Sequence, residues 1–486
     1  MSPFVLLSKT TTARHHPPFL SLRVTFPIPS NLTIDTLPDR LALPQWSRPA
    51  RRAPLDITIR PPGSKSLTNR ALLLAALAPG ESTINHPLIE ADDAQRMLGA
   101  IQQLGAKVEH LDHAVKITGT GGKLFVDPSN PTINLNNAGT ATRFLAAAAL
   151  LADSPLTITG NERMQQRPIQ ELGDLLESLG AKVEYLNTPG CPPIRITPPA
   201  DLTSVPTTIE IQPTQSSQFV SALMLVAAFL PNGLTLTQPN GVTSASYVRM
   251  TIELLDHLGV HTQHSGDLAV IRILPGLERF VLDIEPDASG ATYWWAAGAL
   301  LHDATIRVEG INLDQSQQGD AHFPMLLEQM GCTLITKGDT LACRGPVNLS
   351  PIMCDMRDMP DAVMSLAVVA CFAKGTTIIR GVRTLRVKEC DRIEALKAEL
   401  GKIGVVVADN LNGDDDALSI TPPSSFPSSE SPILMNTYDD HRMAMSLSLL
   451  ALRLSNIVID DPACVAKTYP IYFQHLWRVF DQNEHI

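Results

Sequence analysis

Six stretches of this chain are apolar almost throughout, with polar residues confined to their starts. A helix that is apolar all round is a buried one, so each stretch predicts a helix inside a core. A turn and a short segment rich in β-branched residues follow each stretch, and this pattern predicts a strand. The predicted buried helices cover residues 66–77, 140–151, 217–230, 289–301, 361–372 and 440–452.

A second, amphipathic helix pattern recurs in the same rhythm and ends each time at a glycine. Glycine directly after a helix adopts positive φ at little cost, so it is a helix stop signal. The intervals between these glycines are 75, 79, 72 and 73 residues, which indicates a duplicated supersecondary unit. We therefore predict about six α+β units of roughly 70–80 residues, arranged as two domains of three. The five glycines are Gly105, Gly180, Gly259, Gly331 and Gly404.

Composition narrows the class of protein. A chain of 486 residues is too long for one hydrophobic core, and its formal net charge of −11 makes it a poor candidate for a nucleic-acid binder. No charge-free run of 18 apolar residues occurs, so we expect no membrane span. The seven cysteines are irregularly spaced without a CxxC pair, which indicates reduced thiols in a cytoplasmic protein rather than a zinc or redox site.

Residues 1–53 differ from the rest of the chain. They are rich in Ser, Thr, Pro and Arg, and only Asp35 and Asp39 are acidic. This composition fits a transit peptide, a disordered extension or a start codon placed too early. We predict a disordered N-terminal extension over residues 1–53, outside the fold.

Cations and small polar residues gather at the starts of several predicted buried helices. Such starts are residues 62–70 (PGSKSLTNR), 136–143 (NNAGTATR), 215–218 (QSSQ) and 439–442 (DDHR). Free backbone N–H groups at a helix start attract anions, and Lys or Arg adds charge and bidentate geometry for phosphate or carboxylate. A cleft that collects two or more anionic groups is therefore predicted. Further cations in the connecting loops are Arg163, Arg167, Arg386, Lys388, Arg392 and Lys467.

Two carboxylates are candidates for acid–base chemistry. Asp361 stands at the start of a predicted buried helix, where its anion is stabilised and where it could accept a proton from a bound hydroxyl. A plain N-cap explains Asp361 equally well. Glu389 lies among cations in residues 386–392 (RVKECDR), and a surface ion-pair helix is its alternative explanation.

From about residue 54 to the C-terminus the chain resembles the EPSP synthases, a family of enolpyruvyl transferases. Motifs of that family occur in every repeat and in the expected order, and together they are far more specific than any one of them. The matching segments are residues 62–70, 137–143, 163–169, 216–218, 360–362, 386–389, 440–444 and 467–470.

The resemblance implies an α/β fold, a two-domain inside-out α/β barrel. Each domain would hold three repeated βαβαββ-type units, and the two would be hinged over a central cleft. The first domain would comprise residues 54–63 and 286–486, and the second residues 64–285. Closure over the ligands would exclude water. The resemblance further implies a monomer.

The resemblance also implies a reaction: transfer of the enolpyruvyl group of phosphoenolpyruvate to the 5-hydroxyl of shikimate 3-phosphate by addition and elimination, without metal or other cofactor. The implied catalytic residues are Asp361, Glu389 and Lys65. The implied shikimate 3-phosphate site is Lys65, Ser66, Arg70, Ser216, Ser217, Gln218, Ser244, Tyr247, Asp361 and Lys388. The implied phosphoenolpyruvate site is Lys65, Gly139, Arg167, Gln218, Arg392, Arg442 and Lys467.

Two departures from the family pattern stand near this site. Phe144 occupies a position where the family commonly has Pro, which could alter packing near the phosphoenolpyruvate site. Thr384 occupies a position where the family has Asn, which could weaken a contact to shikimate 3-phosphate. Neither departure removes a proposed catalytic group.

Two alternative functions compete with this one. The sister enzymes that use UDP-N-acetylglucosamine typically have Lys-Asn in the first motif and a reactive Cys in a loop of the second domain. Here the pair is Lys65-Ser66, and residues 161–168 contain no Cys. A non-catalytic paralogue that only binds ligand is the other alternative, and the presence of Lys65, Asp361 and Glu389 argues against it.

Overall fold

Helices and short strands alternate along the described part of the chain. The computed structural model describes residues 33–46, 55–212, 216–427 and 431–481. The α-helices are α1 (Lys65–Leu77), α2 (Asp92–Gln103), α3 (Gly139–Ala148), α4 (Gln170–Ser178), α5 (Ser217–Ala227), α6 (Ala245–His257), α7 (Ala288–Leu300), α8 (Phe323–Gln329), α9 (Val363–Ala370), α10 (Arg392–Gly401), α11 (His441–Ser448) and α12 (Tyr472–Asp481). Short 3₁₀ helices lie at Ile34–Thr36, Ala149–Leu151, Met164–Gln166, Leu202–Ser204, Gly319–His322, Pro360–Ala362, Arg383–Val387, Leu449–Leu452 and Pro462–Lys467.

The strands are short and form six small sheets. They are β1 (Arg40–Ala42), β2 (Leu55–Ile59), β3 (Glu81–Asn85), β4 (Lys107–Leu111), β5 (Ala114–Thr118), β6 (Thr132–Asn134), β7 (Leu156–Thr159), β8 (Lys182–Tyr185), β9 (Ile194–Thr197), β10 (Thr208–Glu210), β11 (Leu234–Thr237), β12 (Thr262–His264), β13 (Val270–Ile273), β14 (Val281–Asp283), β15 (Ala304–Glu309), β16 (Thr333–Lys337), β17 (Thr340–Arg344), β18 (Met353–Asp355), β19 (Thr377–Arg380), β20 (Val406–Leu411), β21 (Asp414–Thr421), β22 (Ile433–Met435) and β23 (Ile457–Asp460).

Five of the sheets repeat one pattern, in which an antiparallel hairpin extends a parallel pair of strands. In the sheet β6-β7-β9-β8, for example, β6 and β7 are parallel, and β9 and β8 follow antiparallel. The same pattern occurs in β14-β3-β5-β4, β10-β11-β13-β12, β2-β15-β17-β16 and β18-β19-β21-β20. The predicted duplication of one α+β unit is therefore visible in the strand order.

The sixth sheet corrects the prediction for the N-terminal residues. β22 and β23 form its parallel pair, and β1 pairs antiparallel with β23, at the place where the other sheets have the second strand of the hairpin in chain order. Leu41 and Leu43 are buried on this sheet. Residues 33–46 thus belong to the fold, although we predicted a disordered extension through residue 53. The remaining residues of that extension, 1–32 and 47–53, lie outside the described residues.

The six predicted buried helices and the five glycine stops are confirmed. α5, α9 and α11 form within the predicted segments, α1, α3 and α7 begin one residue before them, and α7 has every residue buried. The amphipathic helices α2, α4, α6, α8 and α10 precede the predicted glycines. Those glycines all have positive φ, from 81° at Gly404 to 104° at Gly105. The apolar pattern therefore located both kinds of helix correctly.

Buried apolar residues form two cores. The first core draws on residues 41–59 and 288–480, and the second core on residues 67–284. The chain crosses between them twice, and the crossings lie side by side: Gly63 bridges Pro286, and the Ser64 N–H donates to the Glu285 carbonyl at 2.9 Å. No helix in the described part of the chain is long and apolar enough to cross a membrane.

The placement of β1 generates a stability prediction. Leu41→Ala should lower the free energy of unfolding by about 2–4 kcal/mol, because it removes a buried side chain from the first core. The control is Arg40→Ala, which removes only an exposed ion pair with Asp460 and should cost less than about 1 kcal/mol. Urea unfolding of both variants is the measurement. Equal unfolding midpoints would show that β1 does not contribute to the core.

Candidate functional site

The starts of buried helices from both cores face one another across a pair of adjoining cavities. Every residue predicted for the site comes together here. The first cavity is lined by Lys65, Ser66, Arg70, Arg167, Ser216, Ser217, Gln218, Ser244, Tyr247, Asp361 and Lys388, among others. The second shares some of these residues and adds Gly139, Glu389, Arg392 and Arg442. Lys467 lies beside the second cavity, with its Nζ 3.3 Å from Glu389 Oε1.

Side-chain caps fix several of these helix starts. The Ser64 hydroxyl accepts from the Leu67 N–H in α1, and the Ser216 hydroxyl accepts from the Gln218 N–H in α5. Asp440 accepts from the Arg442 N–H at 2.9 Å in α11. These apolar helices begin with small polar residues because such side chains cap the free backbone N–H groups of the first turn. It also leaves the positive ends of the helices directed at the cavities.

Asp361 is held by cations. Its Oδ2 accepts from Arg442 at 2.8 Å and from the Tyr247 hydroxyl at 3.2 Å, and its Oδ1 accepts from Arg392 at 3.1 Å. Lys388 Nζ stands 3.5 Å from Oδ1. Burial alone would raise the pKa of Asp361, but the field of Arg442, Lys388 and Arg392 outweighs it and lowers the pKa well below its ordinary value. The carboxylate is therefore ionised.

Glu389 is, like Asp361, a buried carboxylate surrounded by cations. Arg392 donates to its Oε2 at 2.9 Å, while Lys467 and Arg167 stand 3.3 and 3.9 Å from its Oε1. Burial opposes ionisation of Glu389, yet these three cations together lower its pKa well below the ordinary value. Two ionised carboxylates thus stand in one cluster of Lys and Arg side chains.

Arg392 connects these groups. Its guanidinium donates to Asp361, to Glu389 and to Asp440, whose Oδ2 is 2.8 Å from Arg392 Nε. The Arg392 side chain is only 1% exposed, and burial would favour its neutral form, but the three carboxylates raise its pKa above the ordinary value. The charge of Arg392 is therefore fixed.

Arg70 is a buried cation of a different kind. Among the described residues it has no carboxylate partner, and it donates to Thr251 Oγ1 at 2.8 Å and to the Ser66 carbonyl at 2.9 Å. Burial lowers its pKa to about 10, so it remains protonated near neutral pH. Phe144 is fully buried with its ring centroid 5.3 Å from Arg70 Cζ, so this departure from the family supplies a cation–π contact.

Thr384, the other departure from the family pattern, lines the first cavity. Its buried hydroxyl oxygen has no hydrogen-bond partner among the described residues. A shorter side chain therefore lines the cavity where the resemblance to the family leads us to expect an amide.

Two buried carboxylates near the site were missed by the sequence reasoning. Asp93 lies 3.6 Å from Lys65 and 4.0 Å from Lys467, and burial raises its pKa. In the sequence it is one of two acids at the start of an amphipathic helix, which is typical of a solvated first turn. Asp320 accepts from Ser289 Oγ at 2.6 Å, and its 3₁₀ segment carried no pattern that would have identified it.

Metal binding is not indicated by the side-chain geometry. Within residues 33–46, 55–212, 216–427 and 431–481, no group of three or more His, Cys, Asp or Glu side chains is placed to hold a metal ion. The charges that line the cavities are the Lys and Arg side chains described above together with the carboxylates of Asp93, Asp361 and Glu389.

Sequence comparisons place these features in a family context. The profile of the family EPSP synthase (3-phosphoshikimate 1-carboxyvinyltransferase) matches residues 49–476. A 3-phosphoshikimate 1-carboxyvinyltransferase of Citrobacter koseri is 39% identical over 442 residues, which cover 88% of this chain and 97% of the relative. The enzyme of the same name from Salmonella schwarzengrund is 40% identical over 436 residues, with the same two coverages.

Solved structures show the same fold. The EPSP synthase of Acinetobacter baumannii superposes with a TM-score of 0.67 at 24% identity, covering 89% of this chain and 97% of that one. The enolpyruvyl transferase NikO of Streptomyces tendae superposes with a TM-score of 0.66 at 19% identity, covering 88% and 95%. These likenesses confirm the predicted fold class, the two-domain inside-out α/β barrel.

Asp320 generates a pH-dependence prediction. Burial, with the nearby Asp361 carboxylate, raises its pKa from 3.8 to about 7. Between these values the folded protein binds a proton that the unfolded chain has lost, so this group makes the free energy of unfolding fall as pH rises. Asp320→Asn removes the effect and keeps an oxygen for Ser289. As pH rises through this window, the free energy of unfolding of the variant minus that of wild type should therefore increase by about 1.4 kcal/mol per pH unit.

Urea unfolding at pH 5 and pH 7 measures that difference. The matched control is Asp314→Asn, an exposed acid in the segment before Asp320. If Asp320→Asn and Asp314→Asn showed the same dependence on pH, Asp320 would not hold a proton in the folded protein.

Proposed function

Because the chain belongs to the EPSP synthase family, we propose that its two adjoining cavities bind the two substrates of that family's reaction side by side. The protein transfers the enolpyruvyl group of phosphoenolpyruvate to shikimate 3-phosphate, giving 5-enolpyruvylshikimate 3-phosphate and phosphate. One observation carries the assignment of the site. Lys and Arg side chains from both cores converge, with Asp361 and Glu389 among them, on two cavities that share part of their lining.

The first cavity is the proposed shikimate 3-phosphate site. Arg70 supports this assignment because it is a buried cation bonded to neutral oxygens, so its charge is free to attract a phosphate. Ser216 and Ser217 at the start of α5 add hydroxyls and helix N–H groups near the same space. The other proposed ligands, Lys65, Ser66, Gln218, Ser244, Tyr247, Asp361 and Lys388, line the same cavity.

The second cavity is the proposed phosphoenolpyruvate site. Five cations and three acidic residues line it, and a small molecule with a phosphate and a carboxylate requires such an excess of positive charge. Gly139 contributes by its lack of a side chain, because a Cβ there would stand 2.7 Å from Arg167 Nη2. The proposed ligands are Lys65, Gly139, Arg167, Gln218, Arg392, Arg442 and Lys467.

The proposed chemistry has two steps. In the addition, the 5-hydroxyl oxygen bonds to C2 of phosphoenolpyruvate and its proton leaves to Asp361. C3 receives a proton from Glu389, which would first take that proton up from solvent as the substrate anions draw away the cations that keep it ionised. In the elimination, the C2–O bond to phosphate breaks and C3 returns a proton to Glu389, with Lys65 near both carboxylates. The substrate anions would draw Arg392 and Arg442 towards themselves. This would weaken the field that depresses the pKa of Asp361 and make the carboxylate a better base.

The two cores are the proposed domains, residues 54–63 and 286–486 and residues 64–285. The cavities lie between them, so relative motion of the domains would admit substrates, and closure would exclude water. The monomeric state and the cytoplasmic location stay predictions from the sequence. UDP-N-acetylglucosamine as the alternative acceptor is not favoured, since the relatives are 3-phosphoshikimate enzymes.

Phosphate release tests the function directly. The purified protein should release phosphate when shikimate 3-phosphate and phosphoenolpyruvate are supplied together, and not when either is supplied alone. Asp361→Asn and Glu389→Gln should each lower kcat by at least about 100-fold, because each removes a proposed proton-transfer group.

The control for these variants is Glu394→Gln. Glu394 is an exposed acid on α10 that pairs with Lys397, so its loss should leave kcat within about twofold of wild type. Full activity in Asp361→Asn would remove Asp361 from the mechanism. No phosphate release by folded wild-type protein would refute the function itself.

Gly139→Ala should weaken phosphoenolpyruvate binding selectively. The new methyl group would displace the flexible end of Arg167, so the KM for phosphoenolpyruvate should rise about tenfold or more, with less effect on the KM for shikimate 3-phosphate. Steady-state kinetics with each substrate varied in turn is the measurement. Gly99→Ala, where a Cβ meets nothing within 4 Å, is the control. Equal rises in both KM values would contradict the assignment of Gly139.

A further inference from the structure

Arg163 makes two hydrogen bonds from one core to the backbone of the other. Its Nε donates to the Glu389 carbonyl and its Nη2 to the Lys388 carbonyl, both at 2.9 Å. The donor and its acceptors are more than 200 residues apart in sequence. Arg163 therefore links the segment around residue 163 to two consecutive residues of the proposed active site.

The Lys388 and Glu389 carbonyls lie outside the regular hydrogen bonding of the helices. Lys388 and Glu389 lie between the 3₁₀ helix Arg383–Val387 and α10, whose N-cap is Asp391, so neither carbonyl belongs to a helix. Among the described residues, Arg163 supplies the hydrogen bonds that these two carbonyls accept. The backbone direction at Glu389 thus depends on a side chain from the other core.

The segment that carries Arg163 is itself firmly held. Asn161 Oδ1 accepts from the Met164 N–H at 3.0 Å, and Met164 is fully buried. The same turn carries Arg167, whose Nη1 stands 3.9 Å from Glu389 Oε1. One turn of the second core therefore contacts Glu389 twice, through its carbonyl and through its carboxylate.

We infer that Arg163 is a positioning residue, which orients the backbone of Lys388 and Glu389 when the two domains meet. The inference rests on the proposed function, since it matters for catalysis only if Glu389 transfers protons. Arg163 does not need to touch either substrate. Its two bonds form only when the halves are in contact, so closure of the cleft and assembly of the acid–base group become one event.

The acceptors distinguish Arg163 from Arg392 and Arg442. Arg392 and Arg442 donate to carboxylates, whereas Arg163 donates to neutral carbonyls. A bidentate guanidinium fits two adjacent carbonyls, and a Lys ammonium would reach them with less directional geometry. Arg163→Lys should therefore retain part of the function that Arg163→Met loses.

The test compares Arg163→Met, Arg163→Lys and the control Arg195→Met. Arg195 lies on β9 of the same core, and among the described residues its side chain donates a hydrogen bond to Thr157 alone, so Arg195→Met controls for the loss of one positive charge from this core. Arg163→Met should lower kcat about 10–100-fold, while the Kd for shikimate 3-phosphate, measured by calorimetry without phosphoenolpyruvate, stays within about threefold of wild type. Arg163→Lys should have an intermediate kcat.

Several outcomes would overturn the inference. One is a kcat for Arg163→Met equal to that of Arg195→Met. Another is a loss of shikimate 3-phosphate affinity or of thermal stability in proportion to kcat, since that would indicate a structural role. If Arg163→Met does not fold, a wild-type kcat in Arg163→Lys would also overturn the inference. Absence of phosphate release by wild-type protein would instead refute the proposed function, and this inference with it.

Discussion

The site depends on the pairing of buried charges around Arg392. Two anionic substrates require several cations in one enclosed space, and unpaired cations in such a space would repel one another and lose their hydration. Asp361, Glu389 and Asp440 accept hydrogen bonds from Arg392, and their negative charges offset this repulsion and loss of hydration. The carboxylates that carry out the proposed proton transfers are thus also the groups that make the cation cluster possible.

The repeated fold explains why these charges meet. Each unit places one apolar helix inside a core, and residues at or next to the polar starts of α1, α3, α5, α9 and α11 line the two cavities. The sixth unit has only a parallel pair of strands, and β1 completes it from the beginning of the chain. The same geometry that repeats the sheets therefore repeats a helix start six times, and sequence variation at those starts creates a substrate site at some of them.

The sequence was sufficient to predict the features that a local pattern of residues determines. Apolar stretches located the buried helices, glycines located the helix ends, and family motifs located residues such as Lys65 and Arg442 that the fold brings together. It was insufficient where the partner is distant. β1 carries too short a pattern to be recognised as a strand without β23, and Asp93 resembles any acid in a first helical turn. Arg163 was visible as a loop cation, but its acceptors are backbone carbonyls, which no side-chain pattern records.

The cations of the cleft consequently divide by what they are bonded to. Arg392 and Arg442 donate to carboxylates, so at the proposed phosphoenolpyruvate site a substrate anion would compete with an internal partner, and its arrival would change the basicity of Asp361. Arg70 donates to hydroxyl and carbonyl oxygens, so its charge is available to a phosphate at once. Binding at the Arg70 end therefore needs no rearrangement of ion pairs, whereas binding at the Arg392 end does. This difference favours an order in which shikimate 3-phosphate enters first and the exchange of ion pairs accompanies the arrival of phosphoenolpyruvate.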